Sequence, residues 1–188
     1  MRLQLNLPNT LTMTRIIATP AIVILLYLVK WHDWAWASQL ATLIFALACL
    51  TDVVDGMIAR SQDTITDVGR FLDPLADKLL IVSVLIMLVG LGWAPAWIAI
   101  IIVGRELAVT GIRAVAASQG TVISADRYGK IKTVTQSLAI GVLIWHVPFF
   151  GVDLNPLGLI LLYVALAMTI ISGVNYFHSY QVNHGRSS

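Results

Sequence analysis

Asp52-Val53-Val54-Asp55-Gly56-Met57-Ile58-Ala59-Arg60, then eight residues, then Gly69-Arg70-Phe71-Leu72-Asp73-Pro74-Leu75-Ala76-Asp77 is the stretch that decides the fold. Its four carboxylates, Asp52, Asp55, Asp73 and Asp77, sit inside or beside long apolar runs. An ionised side chain at membrane depth costs roughly 2.5–3.5 kcal/mol on insertion scales, so acids there face a cavity and hold a cation. On helices, positions 52, 55, 56 and 59 share one face by i, i+3, i+4, i+7 spacing, and 69, 73 and 77 form a row at i, i+4, i+8. If those faces converge, the carboxylates repel one another until cations bind between them. All-oxygen ligands favour hard ions, Mg²⁺ first and Mn²⁺ second, and two ions suit four carboxylates.

Working outward, the rest of the chain agrees with a membrane setting. Of 188 residues, 58% are hydrophobic and only 12% charged. The mean hydropathy is +0.84. That excludes an ordinary soluble domain and predicts an integral membrane protein. Cys49 is the lone cysteine and lies in an apolar run, so it reads as a small packing residue with no disulfide partner in the chain. Pro8, Asn9 and Arg15 interrupt the region where the apolar part of a cleavable signal peptide would fall, so the N-terminus is expected to be retained.

The fold class expected is all-α, a polytopic membrane protein with six transmembrane helices preceded by a short N-terminal interfacial segment. Residues 1–15 alternate apolar and polar and suit the membrane surface. Apolar runs from about Leu11 to Val29, Ser38 to Arg60, Asp67 to Leu91, Ala96 to Ala117, Lys130 to Val147 and Leu157 to Phe177 are each near the ~20 residues a bilayer requires. Lys30 to Trp36, Gly90 to Pro95 and Pro148 to Pro156 are the turns at one face, and Gln181 to Ser188 is a polar tail. Residues 1–188 form one domain, without internal repeats.

Six spans place both termini on one side. That side collects Arg2, Arg15, Arg60, Arg70, Lys78, Arg113, Arg127, Lys130, Lys132 and Arg186, against Lys30 alone on the other, with Arg105 too deep to count. The excess of positive charge assigns the termini and the carboxylates to the cytoplasm. All six tryptophans (31, 34, 36, 93, 97, 145) fall near the opposite interface as an aromatic belt. His32, His146, His178 and His184 are scattered and carry no ligand role.

Gly56 allows close approach to the backbone, Ala59 keeps the same face small, and Arg60 offers a fork of donors suited to phosphate. Paired divalent ions on carboxylates are a recurring way to bind a diphosphate and stabilise its leaving oxygen, and Asp77, last in its row, is the natural general base. Asp63 and Asp67 read as solvated charges at a cytoplasmic turn.

At all eight fixed positions (Asp52, Asp55, Gly56, Ala59, Arg60, Gly69, Asp73, Asp77) the stretch resembles the signature of the CDP-alcohol phosphotransferase family. The resemblance implies transfer of a substituted phosphate from a CDP-linked donor to an alcohol with release of CMP. It implies that Asp52, Asp55 and Asp73 hold two metal ions, that Asp77 contributes to the metal site and acts as base, and that Gly56, Ala59, Arg60 and Gly69 line the CDP pocket. Asn9, Thr12 and Arg15 could reach the nucleotide or the donor's phosphates, and Arg15 is also placed among the groups for the acceptor's phosphate.

Beyond the signature, Leu7-Pro8-Asn9-x-Leu11-Thr12-x-x-Arg15, Gly104-Arg105-Glu106-x-x-x-x-Gly111-x-Arg113 and Gly129-Lys130-x-Lys132-Thr133-x-x-Gln136 look like the bacterial phosphatidylglycerophosphate synthases. That subgroup implies CDP-diacylglycerol as donor, sn-glycerol 3-phosphate as acceptor, membrane lipids around the helices, a homodimer in the bacterial inner membrane, and no nucleic-acid partner. The residues make independent sense of a phosphorylated acceptor: Arg105, Arg113, Lys130 and Lys132 are cations in or at the ends of two helices, and a dianionic phosphate needs such a pocket. The competing readings are that Arg105 pairs with Glu106 and that the lysines reach lipid headgroups. A sibling enzyme acting on serine or inositol phosphate is the alternative within the class, and an ion or phosphate transport pathway the alternative outside it.

Overall fold

The computed structural model describes the backbone of residues 7–58, 67–118 and 127–184, and side chains for 13–51, 76, 78–116, 129 and 131–177. Six helices follow in order: α1 (Leu7–His32), α2 (Ala35–Ile58), α3 (Asp67–Gly90), α4 (Ala96–Ser118), α5 (Arg127–Trp145) and α6 (Asn155–His184). No strand occurs among the described residues; Phe149 and Val152 form an isolated bridge in the α5–α6 turn.

Two expectations change at the ends. α1 begins at Leu7, four residues before the expected start of the first span. Pro8 is the second residue of that helix, where its missing N–H has no intrahelical partner to lose. At the other end α6 runs to His184, so the first half of the expected polar tail is helical. Loss of apolar character marks where a helix leaves the core, not where its backbone hydrogen bonds stop.

The turns are short and their chemistry is visible. The first is reduced to Asp33 and Trp34, with Asp33 at φ 55° and its N–H bonded to the Val29 carbonyl at 2.9 Å. Gly92, at φ 77°, lets the chain fold back after α3. Before α6, Asp153 Oδ1 accepts from the Asn155 backbone N–H (2.9 Å) and Nδ2 (2.8 Å), and Pro156 enters the first turn.

Three contacts gather these turns at one end. Lys30 Nζ donates to the Gly90 carbonyl at 3.0 Å. Ser38 Oγ, buried, reaches the last carbonyls of α5, at Ile144 and at Trp145 (2.8 Å). Trp93 stacks on His146 with ring centroids 3.6 Å apart. This is a tryptophan end, where Trp34 also stacks between His32 and Trp36. The C-termini of α2, α4 and α6 and the N-termini of α1, α3 and α5 therefore lie at the opposite, carboxylate end.

Helix α1 packs against α2 and α3, α5 against α2, α3 and α6, and α4 against α3 and α6. Small residues let the axes approach: Ala37, Ala41 and Ala139 are wholly buried. Between α5 and α6 the fit is tightest, since a Cβ on Gly158 would stand 2.8 Å from Leu143 Cγ and Cδ2.

The distribution of polarity is the reverse of a water-soluble bundle. Arg15, Lys132, Gln136, Thr169 and Ser172 are buried, while Ile100 is 71% exposed, Ile17 68% and Leu107 62%. Side chains of that size turned outward in a continuous belt are at ease only in lipid. Helical threonines satisfy their own hydroxyls on the preceding turn, as Thr169 does on the Ala165 carbonyl (2.6 Å) and Thr110 on that of Glu106 (2.6 Å). Two helices, over Met13–His32 and Asn155–Phe177, are by themselves long and apolar enough to cross a membrane.

Candidate functional site

The carboxylate row is divided between two helices that meet the same end of the bundle. Asp52, Asp55 and Gly56 lie in the last two turns of α2, and Gly69, Asp73 and Asp77 in the first half of α3. Counting from the helix ends, Asp52 and Asp73 are each six residues in, about 9 Å of helix, so the two sit at a common level. Their side chains, with those of Asn9, Thr12 and Lys130, lie outside the described side chains; Ala59 and Arg60 lie outside the described residues altogether. Among the described residues no group of three His, Cys, Asp or Glu could hold a metal. What bears on a metal is the donor set: carboxylates alone, on two helix ends held together by α1 and α5, suit a hard divalent cation.

Among the described residues, Arg105 of α4 and Lys132 of α5 are joined in one network. Arg105 is nine residues into α4, about 14 Å from its start and near the middle of the helix. Its Nη2 donates to Ser172 Oγ on α6 at 2.7 Å, and its Nη1 pairs with Glu106 at 3.1 Å. Lys132, buried on α5, pairs with the same Glu106 oxygen. The pairing of Arg105 with Glu106, which the sequence offered as the competing reading, is thus what the structure contains, and Glu106 joins α4 to α5. Arg113, two turns beyond Arg105, rests its guanidinium carbon 5.3 Å from the centre of the Tyr176 ring. Arg15 is buried on α1 and lies on the same half of the molecule.

Small residues make room for this network. A Cβ on Gly173 would come within 3.3 Å of Arg105 Cγ, so the arginine stem lies directly on the α6 backbone. Gly129 brings the start of α5 close to Ser172 Oγ. Beside Glu106 and Lys132 a cavity of about 30 Å³, also lined by Lys78 and Gln136, separates them from α3. Lys78, which lines this cavity from α3, follows Asp77 in sequence.

A second cavity, about 620 Å³, is a groove between α2 and α5 lined by Phe45, Cys49, Leu50, Val134, Leu138 and Trp145 among others. Cys49 and Leu50 come just before Asp52, so the groove leads from the apolar flank toward the carboxylates. His146, assigned no ligand role, is held by Trp93 and by Asn155 Oδ1, 2.6 Å from its Nδ1.

In the sequence Glu106 stands within the fourth-helix motif and as a competitor for Arg105, with no sign of its link to Lys132. Ser172 and Tyr176 lie in an apolar run with no motif spacing, and only the packing of α4 on α6 shows their contacts.

The CDP-alcohol phosphatidyltransferase family model matches residues 5–171. A CDP-diacylglycerol–glycerol-3-phosphate 3-phosphatidyltransferase of Bacillus subtilis is 42% identical over 182 residues, covering 92% of this chain and 93% of the relative. A probable phosphatidylglycerophosphate synthase of Mycobacterium tuberculosis is 40% identical over 171 residues, 91% of this chain and 79% of its own. A protein of Rickettsia felis with the same name as the Bacillus relative is 38% identical over 178 residues, 94% and 96% of the two chains.

Proposed function

The chain belongs to the CDP-alcohol phosphatidyltransferase family, and from that membership we propose that it transfers the phosphatidyl group of CDP-diacylglycerol to sn-glycerol 3-phosphate. The products are phosphatidylglycerophosphate and CMP. It is a membrane transferase of phospholipid biosynthesis, on the path to phosphatidylglycerol. The single observation that supports this reading is the match of the family model over residues 5–171, on a chain whose Asp52 and Asp55 fall at the end of α2 and Asp73 and Asp77 near the start of α3.

Asp52, Asp55, Asp73 and Asp77 would hold divalent metal, two ions and Mg²⁺ first, which would offset the carboxylates' repulsion and the donor's diphosphate charge. Gly56, Ala59, Arg60 and Gly69, with Asn9 and Thr12 from the start of α1, take the cytidine diphosphate portion. Arg105, Arg113, Lys132, Lys130 and Arg15 take the acceptor's phosphate. Asp77 removes the proton from the acceptor's primary hydroxyl. That oxygen then bonds to the phosphorus carrying diacylglycerol as the bond to the CMP oxygen breaks, and CMP leaves with the electron pair. The apolar groove between α2 and α5 supports lateral passage of the acyl chains, which then stay in lipid while the polar substrates meet at the carboxylate end.

This reading sets the chain in the bacterial inner membrane as one domain over residues 1–188, with six spans, termini and site toward the cytoplasm, and a second copy as partner. Membranes carrying the protein, given CDP-diacylglycerol and radiolabelled glycerol 3-phosphate, serine or inositol phosphate in parallel, test the acceptor. Label is expected in lipid from glycerol 3-phosphate; incorporation only from serine or only from inositol phosphate would overturn the choice.

A further inference from the structure

Two buried polar groups at the α4–α6 contact have no partner: Nε of Arg105 and the hydroxyl of Tyr176. Tyr176 is only 4% exposed. A buried hydroxyl without a hydrogen bond is a standing penalty, and a guanidinium N–H left over beside it is a second. Nε can only donate and the phenol can donate as well as accept, so an acceptor oxygen would satisfy either one. Arg113 lies over the ring of the same tyrosine, and Arg105 is tied to Ser172, one turn before Tyr176 on α6. Because helical side chains lean toward the N-terminus, Arg113, farther along the parallel α4, brings its guanidinium back to the level of Tyr176. Two arginines and a hydroxyl thus approach one another from two helices.

We propose that Tyr176 is a specificity-determining contact for the acceptor, donating its hydroxyl to an oxygen of a phosphomonoester that Arg105 and Arg113 hold. The inference rests on the acceptor reading above and adds to it a residue and a reason for selectivity. A phosphate dianion offers enough acceptor oxygens to engage two guanidinium groups and a phenol together, whereas an uncharged alcohol offers one acceptor oxygen and no charge. The ring fixes Arg113 while the hydroxyl faces the ligand, so the two halves of the side chain have separable duties.

Tyr176→Phe separates them, because it keeps the ring, its packing and the stacked Arg113 while removing one donor. In detergent-solubilised enzyme the KM for glycerol 3-phosphate is expected to rise about tenfold, as loss of a hydrogen bond to a charged group does, with kcat and the KM for CDP-diacylglycerol within about twofold. Inorganic phosphate, used as a competitor of glycerol 3-phosphate, is expected to lose inhibitory strength in parallel. An unchanged acceptor KM would overturn the proposal, as would a fall in thermal midpoint and kcat with the acceptor KM intact, which marks a structural role. If the parent itself takes no label from glycerol 3-phosphate, it is the acceptor reading that fails.

Discussion

At the scale of single residues, the signature aspartates stand out in the sequence because an acid in an apolar run is conspicuous and the spacings i, i+3 (Asp52, Asp55) and i, i+4 (Asp73, Asp77) each share a helix face. The partners of the arginines were not. Glu106 pairs with Arg105 and Lys132 at once, the latter a bridge between residues 26 positions apart in sequence that no local pattern announces. Tyr176 is one more aromatic at the end of an apolar helix until α4 is seen against it. The base assignment belongs to this scale as well. Asp77→Asn keeps size and helix register but cannot accept the acceptor's proton, so CMP release is expected to fall by about 10²–10⁴ with substrate KM values within a few-fold. Release at the parent's rate would remove Asp77 from that role.

At the scale of helices, the number and order of elements followed from the lengths of the apolar runs, and α3 starts at the expected Asp67. The ends did not follow, because Pro8 is compatible with a first helical turn and because polar residues after Phe177 continue the backbone ladder of α6. Packing between helices makes two outcomes checkable. In Gly158→Ala the new methyl meets Leu143 at 2.8 Å. Overpacking of that kind costs about 1–3 kcal/mol, so a lower thermal midpoint in detergent is expected with both KM values unchanged. Leu138→Trp on α5 intrudes on the groove it lines with α2. A higher KM for CDP-diacylglycerol and an unchanged one for glycerol 3-phosphate is the outcome expected of an acyl-chain path; equal effects on both would argue against it.

At the scale of the whole molecule, the bundle is polarised along its axis. Tryptophans and three turns occupy one end, and the C-terminus of α2 and the N-terminus of α3 lie at the other. The charge asymmetry of the sequence gave that polarity a direction, cytoplasm at the carboxylate end, which labelling can check. In a Cys49→Ser background, Val152→Cys in the α5–α6 turn is expected to react with a membrane-impermeant maleimide on intact cells. Ser187→Cys is expected to react only after the cytoplasmic face is opened. Labelling of both from outside would rule out an even number of spans with cytoplasmic termini.

These scales meet in the coupling of donor cleavage to acceptor use at the shared carboxylates. The most direct measurement is the stoichiometry of CMP and lipid product formed by purified protein from CDP-diacylglycerol and glycerol 3-phosphate, with Mg²⁺ present, after its removal by chelation, and in Asp73→Asn. One CMP for each phosphatidylglycerophosphate is expected with Mg²⁺, and neither product after chelation or in the variant. CMP released without acceptor, or full turnover by Asp73→Asn, would contradict a transfer reaction seated on these aspartates.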